Sequence, residues 1–119
     1  MTALDNRLAD GSVVLLDGAM GTELQRRGVA MDAVDWCGTA LVTDADTIHA
    51  IHVEYMRAGA EIHIANTFAA GRHVLTPAGL GDETVVLNRL AINLVRQARD
   101  EAATGPVWWR DPQKVIRSC

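Results

Sequence analysis

"LLDGAMGTELQRRG", residues 15–28, decides how the chain is read. It has the order of a strand that stops at an acid, turns on glycines and restarts as a short helix. Residues 12–17, "SVVLLD", are a β-branched and leucine run of the kind found in strands buried on both faces. In "TELQRRG", Thr22 and Gln25 stand at capping-box spacing, Arg26 and Arg27 suit the negative end of a helix, and Gly28 stops it. The turn between, Gly18-Ala19-Met20-Gly21, has two readings. Either the glycines only make a tight turn, or Asp17 and the bared amides hold something. A phosphate cradle is disfavoured, because "GAMG" lacks both the G-x-G-x-x-G spacing and the lysine of a Walker loop.

Outward from this stretch the pattern repeats. Residues 44–58 are predicted helical, with Thr43 or Asp44 as cap, Ile48, Ile51 and Tyr55 on one stripe, and Arg57 then Gly59 at the end. "EIHIANTF", 61–68, is a second strand with Ile62 and Ile64 facing one way. "TPAGLGD" is a loop. Residues 83–103 are a long amphipathic helix with Leu87, Leu90, Ala91, Leu94, Val95 and Ala98 as its apolar face, and "VWW", 107–109, begins a third strand. Strand, helix, strand, helix, strand is the order of βαβ units, so the fold class is α/β with a parallel sheet.

With 119 residues, half of them apolar and a net charge of −4, the chain has the length and composition of one globular domain. It shows no basic run that would suit a nucleic acid before its last ten residues, and no apolar stretch near the roughly 20 residues of a membrane span. The N-terminus lacks the apolar core of a secretory signal, so a cytoplasmic location is expected. The final residues, 110–119 ("RDPQKVIRSC"), stand apart. They hold the only lysine, Lys114, and carry 3 basic and 1 acidic residue, against 8 and 14 in residues 1–109. The composition divides the chain into a body, 1–109, and an anomalous tail, 110–119, as a truncation or a shifted reading frame would.

In parallel β/α folds, ligands sit beyond the carboxyl ends of the strands. Those ends carry Asp17-Gly18 and Asn66-Thr67, which converge if the two strands are neighbours. A carboxylate there can grip an ammonium or hydroxyl group, while an amide and a hydroxyl offer neutral hydrogen bonds. The bland alternative is a capped loop and a satisfied turn. His49 and His52, three apart on a helix, lack a third ligand nearby in sequence and are expected to pack or face solvent; His63 and His73 carry no signal. Trp36 is expected as a packing plug. Cys37 and Cys119 form no C-x-x-C pair, so neither a disulfide framework nor a zinc ribbon is suggested.

Taken together, "LLDGAMGTELQRRG", Trp36 with Ala40-Leu41, "IHVEYMRAGAEIHIANTF" (51–68) and Leu75 with Gly79 resemble the homocysteine S-methyltransferase family, including the homocysteine-binding module of cobalamin-dependent methionine synthase. The resemblance implies a TIM-type (β/α)8 barrel, of which this chain carries the N-terminal two to three β/α units. It implies methyl transfer from a small-molecule donor to the sulfur of homocysteine, giving methionine. It also implies that Asp17, Gly18, Asn66 and Thr67 are the substrate contacts at the barrel mouth, with Ala19 where many relatives have a second glycine. The family's zinc holds the substrate sulfur as thiolate, whose free pKa is about 8.5. Its cysteines belong to an Asn-Cys near strand six and a Gly-Gly-Cys-Cys near strand eight. This sequence contains neither, so no catalytic residue and no metal ligand is assigned within it. A piece of such a barrel is expected to leave Val14, Leu16, Ile62 or Ile64 facing water, to be unstable or molten alone, and to transfer no methyl groups. The rival expectation is a non-catalytic fragment of a degraded gene. A third, a small flavodoxin-like domain, requires a complete sheet within these residues.

Overall fold

The structure is a computed structural model that describes residues 3–31 and 33–105, together with the backbone of 108–110 and 117–118. Its elements are α1 (Ala3–Ala9), α2 (Gly21–Arg26), α3 (Ala40–Thr43), α4 (Ala45–Arg57), β1 (Ile62–Ile64), α5 (Arg72–Leu75), a 3₁₀ turn (Gly81–Glu83), α6 (Thr84–Ala102), β2 (Trp108–Arg110) and β3 (Arg117–Ser118).

The helical half follows the apolar spacing. Ile48 and Ile51 of α4 are fully buried and Tyr55 partly so, and α6 buries Leu87, Ala91, Leu94, Val95 and Ala98. α4 and α6 pack on each other along their length, and Ala91 and Ala98, without exposure, let the two axes approach. Each leucine, isoleucine or valine side chain so buried contributes about 1.5–3 kcal/mol. Gly28 (φ +83°) and Gly59 (φ +103°) turn the chain out of α2 and α4 as expected, in a conformation that side chains with a Cβ resist.

The caps differ from expectation. Gly21 is already helical, so Thr22 falls at the second helical position, and neither it nor Met20 makes a side-chain cap bond. Asp44 sits at the cap of α4 without a cap bond, its carboxylate taken by the Thr43 hydroxyl.

The strands are shorter than the sequence suggests. Strand 12–17 is reduced to one parallel bridge, Leu16 with Ile62, and strand 61–68 to β1, with a turn following at 66–69. Leu15 O accepts from the amides of Glu61 (2.8 Å) and Ile62 (3.1 Å), and Asp17 N donates to Ile62 O (2.9 Å). In a regular parallel ladder the Ile64 amide would next reach the Asp17 carbonyl. It donates instead to Asp17 Oδ2 (3.0 Å), so the acid itself ends the ladder. β1 pairs parallel with β2, Ile62 opposite Trp108, and β2 pairs antiparallel with β3.

The first strand is not buried on both faces: Val13, Leu15 and Leu16 are 77%, 52% and 61% exposed, because nothing among the described residues covers that edge and face. Ile64 is exposed on the same sheet as Leu16, as expected for an inward face without its partners, whereas Val14 and Ile62 are half-buried. The open surface lies on the sheet, and the helical layer keeps two apolar clusters of its own. No described helix is long and apolar enough to cross a membrane.

Candidate functional site

The first two strand segments are neighbours, so their carboxyl ends do meet. Gly18 and Asn66 line one hollow of about 250 Å³, together with Trp36, Cys37, Ile64 and Phe68. Gly18 is there for a steric reason. A Cβ on it would stand 2.6 Å from Tyr55 Oη, and that phenol donates to Ala19 O (3.0 Å), pinning the turn onto α4. Phe68 is 76% exposed and, with Trp36, also walls a wider hollow of about 530 Å³ that reaches Arg72 and His73. Trp36 is not the buried plug expected of it. It is half exposed, at φ +53°, with its ring so close to Gly21 that a Cβ there would lie 2.9 Å away.

Asn66 is buried and acts as a clamp. Its Nδ2 donates to Cys37 O (3.2 Å), and Cys37 Sγ donates to its Oδ1 (3.4 Å). This ties the 33–39 connection, and with it Trp36, to the end of β1. Asn66→Ala removes both bonds and leaves buried groups unmatched. It is expected to destabilise the chain by about 1–3 kcal/mol and to loosen the Trp36 wall. The checks are a urea midpoint and the indole emission.

The other two predicted residues lie behind the hollow. Thr67 is fully buried and shapes the turn, its amide donating to Ala65 O (2.7 Å) and its carbonyl accepting from Ala70 N (3.1 Å). The Asp17 side chain is 3% exposed, and burial pushes its pKa up to about 6. Its Oδ2 lies 3.7 Å from His63 Nδ1.

The histidines separate clearly. His49 faces outward and meets Glu101 at 3.1 Å. His52 points inward with no exposure, 6.2 Å centroid to centroid from His63 in an edge-on pair, and burial holds its pKa down at about 3. His63, which carried no signal in the sequence, is fully buried beside Asp17, and burial lowers its pKa as well.

The thiolate zinc implied by the resemblance does not fit these residues. Cys37 is enclosed and bonded to Asn66, and burial pushes its thiol pKa up; Cys119 lies outside the described residues.

The homocysteine S-methyltransferase family model matches residues 14–119, a span that includes the compositionally distinct 110–119. The chain belongs to the homocysteine S-methyltransferase family. It is 34% identical over 89 residues to homocysteine S-methyltransferase of Escherichia coli, covering 74% of this chain and 29% of that protein. It is 29% identical over 102 residues to homocysteine S-methyltransferase YbgG of Bacillus subtilis, covering 85% and 32%, and 31% identical over 91 residues to selenocysteine methyltransferase of Astragalus bisulcatus, covering 76% and 27%. Among solved structures it resembles the metallated form of homocysteine methyltransferase MmuM from Escherichia coli, with TM-score 0.75 and 32% identity over 84% of this chain and 35% of that one. The chain spans about a third of the length of the proteins it matches.

Proposed function

We propose that this chain supplies the first two to three β/α units of a (β/α)8 barrel whose complete form transfers a methyl group to the sulfur of homocysteine, giving methionine, in the cytoplasm. The observation that carries this reading is the meeting of the two strand ends, with Gly18 and Asn66 on one hollow, in a chain of this family. The chain's share is substrate binding. Asp17, enclosed behind the hollow, ends the first strand and so sets the floor beneath the substrate's amino-acid end. Gly18 lets the amino-acid end approach the backbone, Asn66 holds the wall of the hollow, and Thr67 shapes the turn that carries Asn66. Trp36 and Phe68 keep water from the sulfur. In this reading the zinc ligands lie outside the chain, which alone forms no methionine. The relative of Astragalus bisulcatus is named for a selenol acceptor, so selenocysteine belongs among the acceptors to be tried.

The test is to express the 119 residues alone and joined to the remaining two-thirds of the Escherichia coli relative, then to measure methionine formed from homocysteine. Activity only in the joined protein is the expected result. A joined protein that is folded, by its near-ultraviolet ellipticity, yet binds no homocysteine sinks the reading.

A further inference from the structure

Behind the hollow, Asp17, His52 and His63 bring one donor atom each to within 4.8 Å of the other two. They come from three parts of the fold: the end of the first strand, α4 and β1. Both histidines are without exposure and the Asp17 side chain is nearly so. Yet Asp17 Oδ1, both ring nitrogens of His52 and His63 Nδ1 have no hydrogen-bond partner among the described residues. Buried polar atoms are almost always matched, and four unmatched ones on three neighbouring side chains ask for an explanation.

The tautomer of His63 narrows it. Its Nε2 lies 3.0 Å from Ala60 O, and a carbonyl can only accept, so Nε2 carries the proton. In the neutral ring Nδ1 then presents a lone pair to Asp17 Oδ2, 3.7 Å away. That gap is too wide for a hydrogen bond, whose upper range is about 3.2 Å. It is close to the separation of about 3.4 Å between two ligands of a tetrahedral ion with bonds of about 2.0–2.2 Å. A histidine that donates one nitrogen to a backbone carbonyl and turns the other inward also has the usual outer support of a metal ligand.

The geometry points to a divalent transition-metal site, of the zinc class, held by Asp17, His52 and His63. Two imidazoles and a carboxylate suit zinc or a neighbouring first-row ion rather than calcium or magnesium, which take oxygen ligands. The ion balances the carboxylate, takes His63 Nδ1 and one nitrogen of His52, and fastens the end of the first strand to α4 and β1. The side chains close in by a few tenths of an ångström or more to reach it. No cysteine takes part, and the inference uses only side chains of this chain, so it stands or falls separately from the methyl-transfer reading.

The test is a titration of the chelator-stripped 119-residue chain with Zn²⁺ and, for its visible spectrum, Co²⁺, without substrate. One equivalent is expected to bind, with d–d bands but no thiolate charge transfer, and the melting temperature is expected to climb with ion concentration. His52→Ala and His63→Ala should each weaken binding by more than about a hundredfold, beyond the 10–100-fold typical of outer-shell changes. His49→Ala and Cys37→Ser should leave it unchanged. In case the alanine variants unfold, nitrogen-15 spectra of the unaltered chain supply a second measurement. Zn²⁺ should shift Nδ1 of His63 and one nitrogen of His52, while His63 Nε2 keeps its proton. Failure to take up a stoichiometric ion, uptake indifferent to both histidines, or uptake lost in Cys37→Ser overturns the site.

Discussion

Gly38→Ala is expected to remove the cooperative unfolding transition of this chain, or to lower its stability by about 3 kcal/mol or more. A Cβ at this position would stand 2.4 Å from the carbonyl oxygen of Ala69 and 2.8 Å from Asp35 Oδ2. The first is backbone and cannot swing aside. The second belongs to a buried carboxylate that already receives the Thr39 hydroxyl at 2.7 Å. Relief therefore requires moving the whole 35–39 connection off the 66–70 turn, which pulls Cys37 from Asn66 and opens the core cluster containing Leu41 and Leu75. Against a native stability of about 5–15 kcal/mol for an intact domain, such a loss is large. Gly18→Ala is the control. Its Cβ meets only the end of the Tyr55 side chain, which can rotate away at the expense of one bond to Ala19 O, so about 1 kcal/mol is expected. Urea titrations followed by ellipticity compare the two, and equal midpoints would refute the argument.

The contrast between these glycines shows what the sequence could convey. Gly18 stands out in it, between an acid and a helix. Gly38 does not, because the wall it touches is the Ala69 carbonyl, about thirty residues away and on another element. The helices were legible for the opposite reason. Ile48, Ile51 and Tyr55, or Leu87, Ala91 and Leu94, declare their shared face by local spacing alone. Strand lengths were less so, since a strand is as long as its partners allow and the Asp17 carboxylate takes the Ile64 amide that would have extended the ladder. The Thr22 capping box failed by two residues, enough to carry its hydroxyl past the cap position.

At the site, the pairing of the first two strands brings Gly18 and Asn66 to one hollow, the convergence that strand order alone implied. That order could not say which way each end residue faces, and Asp17 and Thr67 turn behind that hollow. The Asp17, His52 and His63 cluster was missed, although two local signals pointed to it. His63 alternates with Ile62 and Ile64 and so faces the other layer, and His52 follows Ile51 on the buried side of α4. A polar ring at each of two core-facing positions marks a group that must be matched by something beyond its own segment.

That same cluster sets an unusual dependence of stability on pH in the metal-free chain. His52, with its pKa held at about 3 against an ordinary 6.5, stays neutral in the folded state, whereas the unfolded chain binds a proton there as pH falls below 6.5. Stability from this group is therefore present above pH 6.5 and is lost on acidification, by about 1.4 kcal/mol per unit and at most about 5 kcal/mol by pH 3. His63, lowered by the same burial, acts in the same direction. Asp17 acts in the other. Its pKa is pushed up to about 6 from 3.8, so between those values the folded state binds the extra proton and acidification relieves its burial. Over pH 6 to 4 the Asp17 uptake offsets one histidine, and the unaltered chain should lose stability only gently. Asp17→Asn removes the offset and leaves both histidines. The variant should fall away more steeply than its parent by up to about 1.4 kcal/mol per pH unit across that window, and in parallel with it above pH 7. Urea midpoints at pH 7, 6, 5 and 4 in the presence of a chelator measure the difference. Curves that remain parallel down to pH 4 would mean that Asp17 keeps an ordinary carboxylate pKa and is not enclosed with the two histidines.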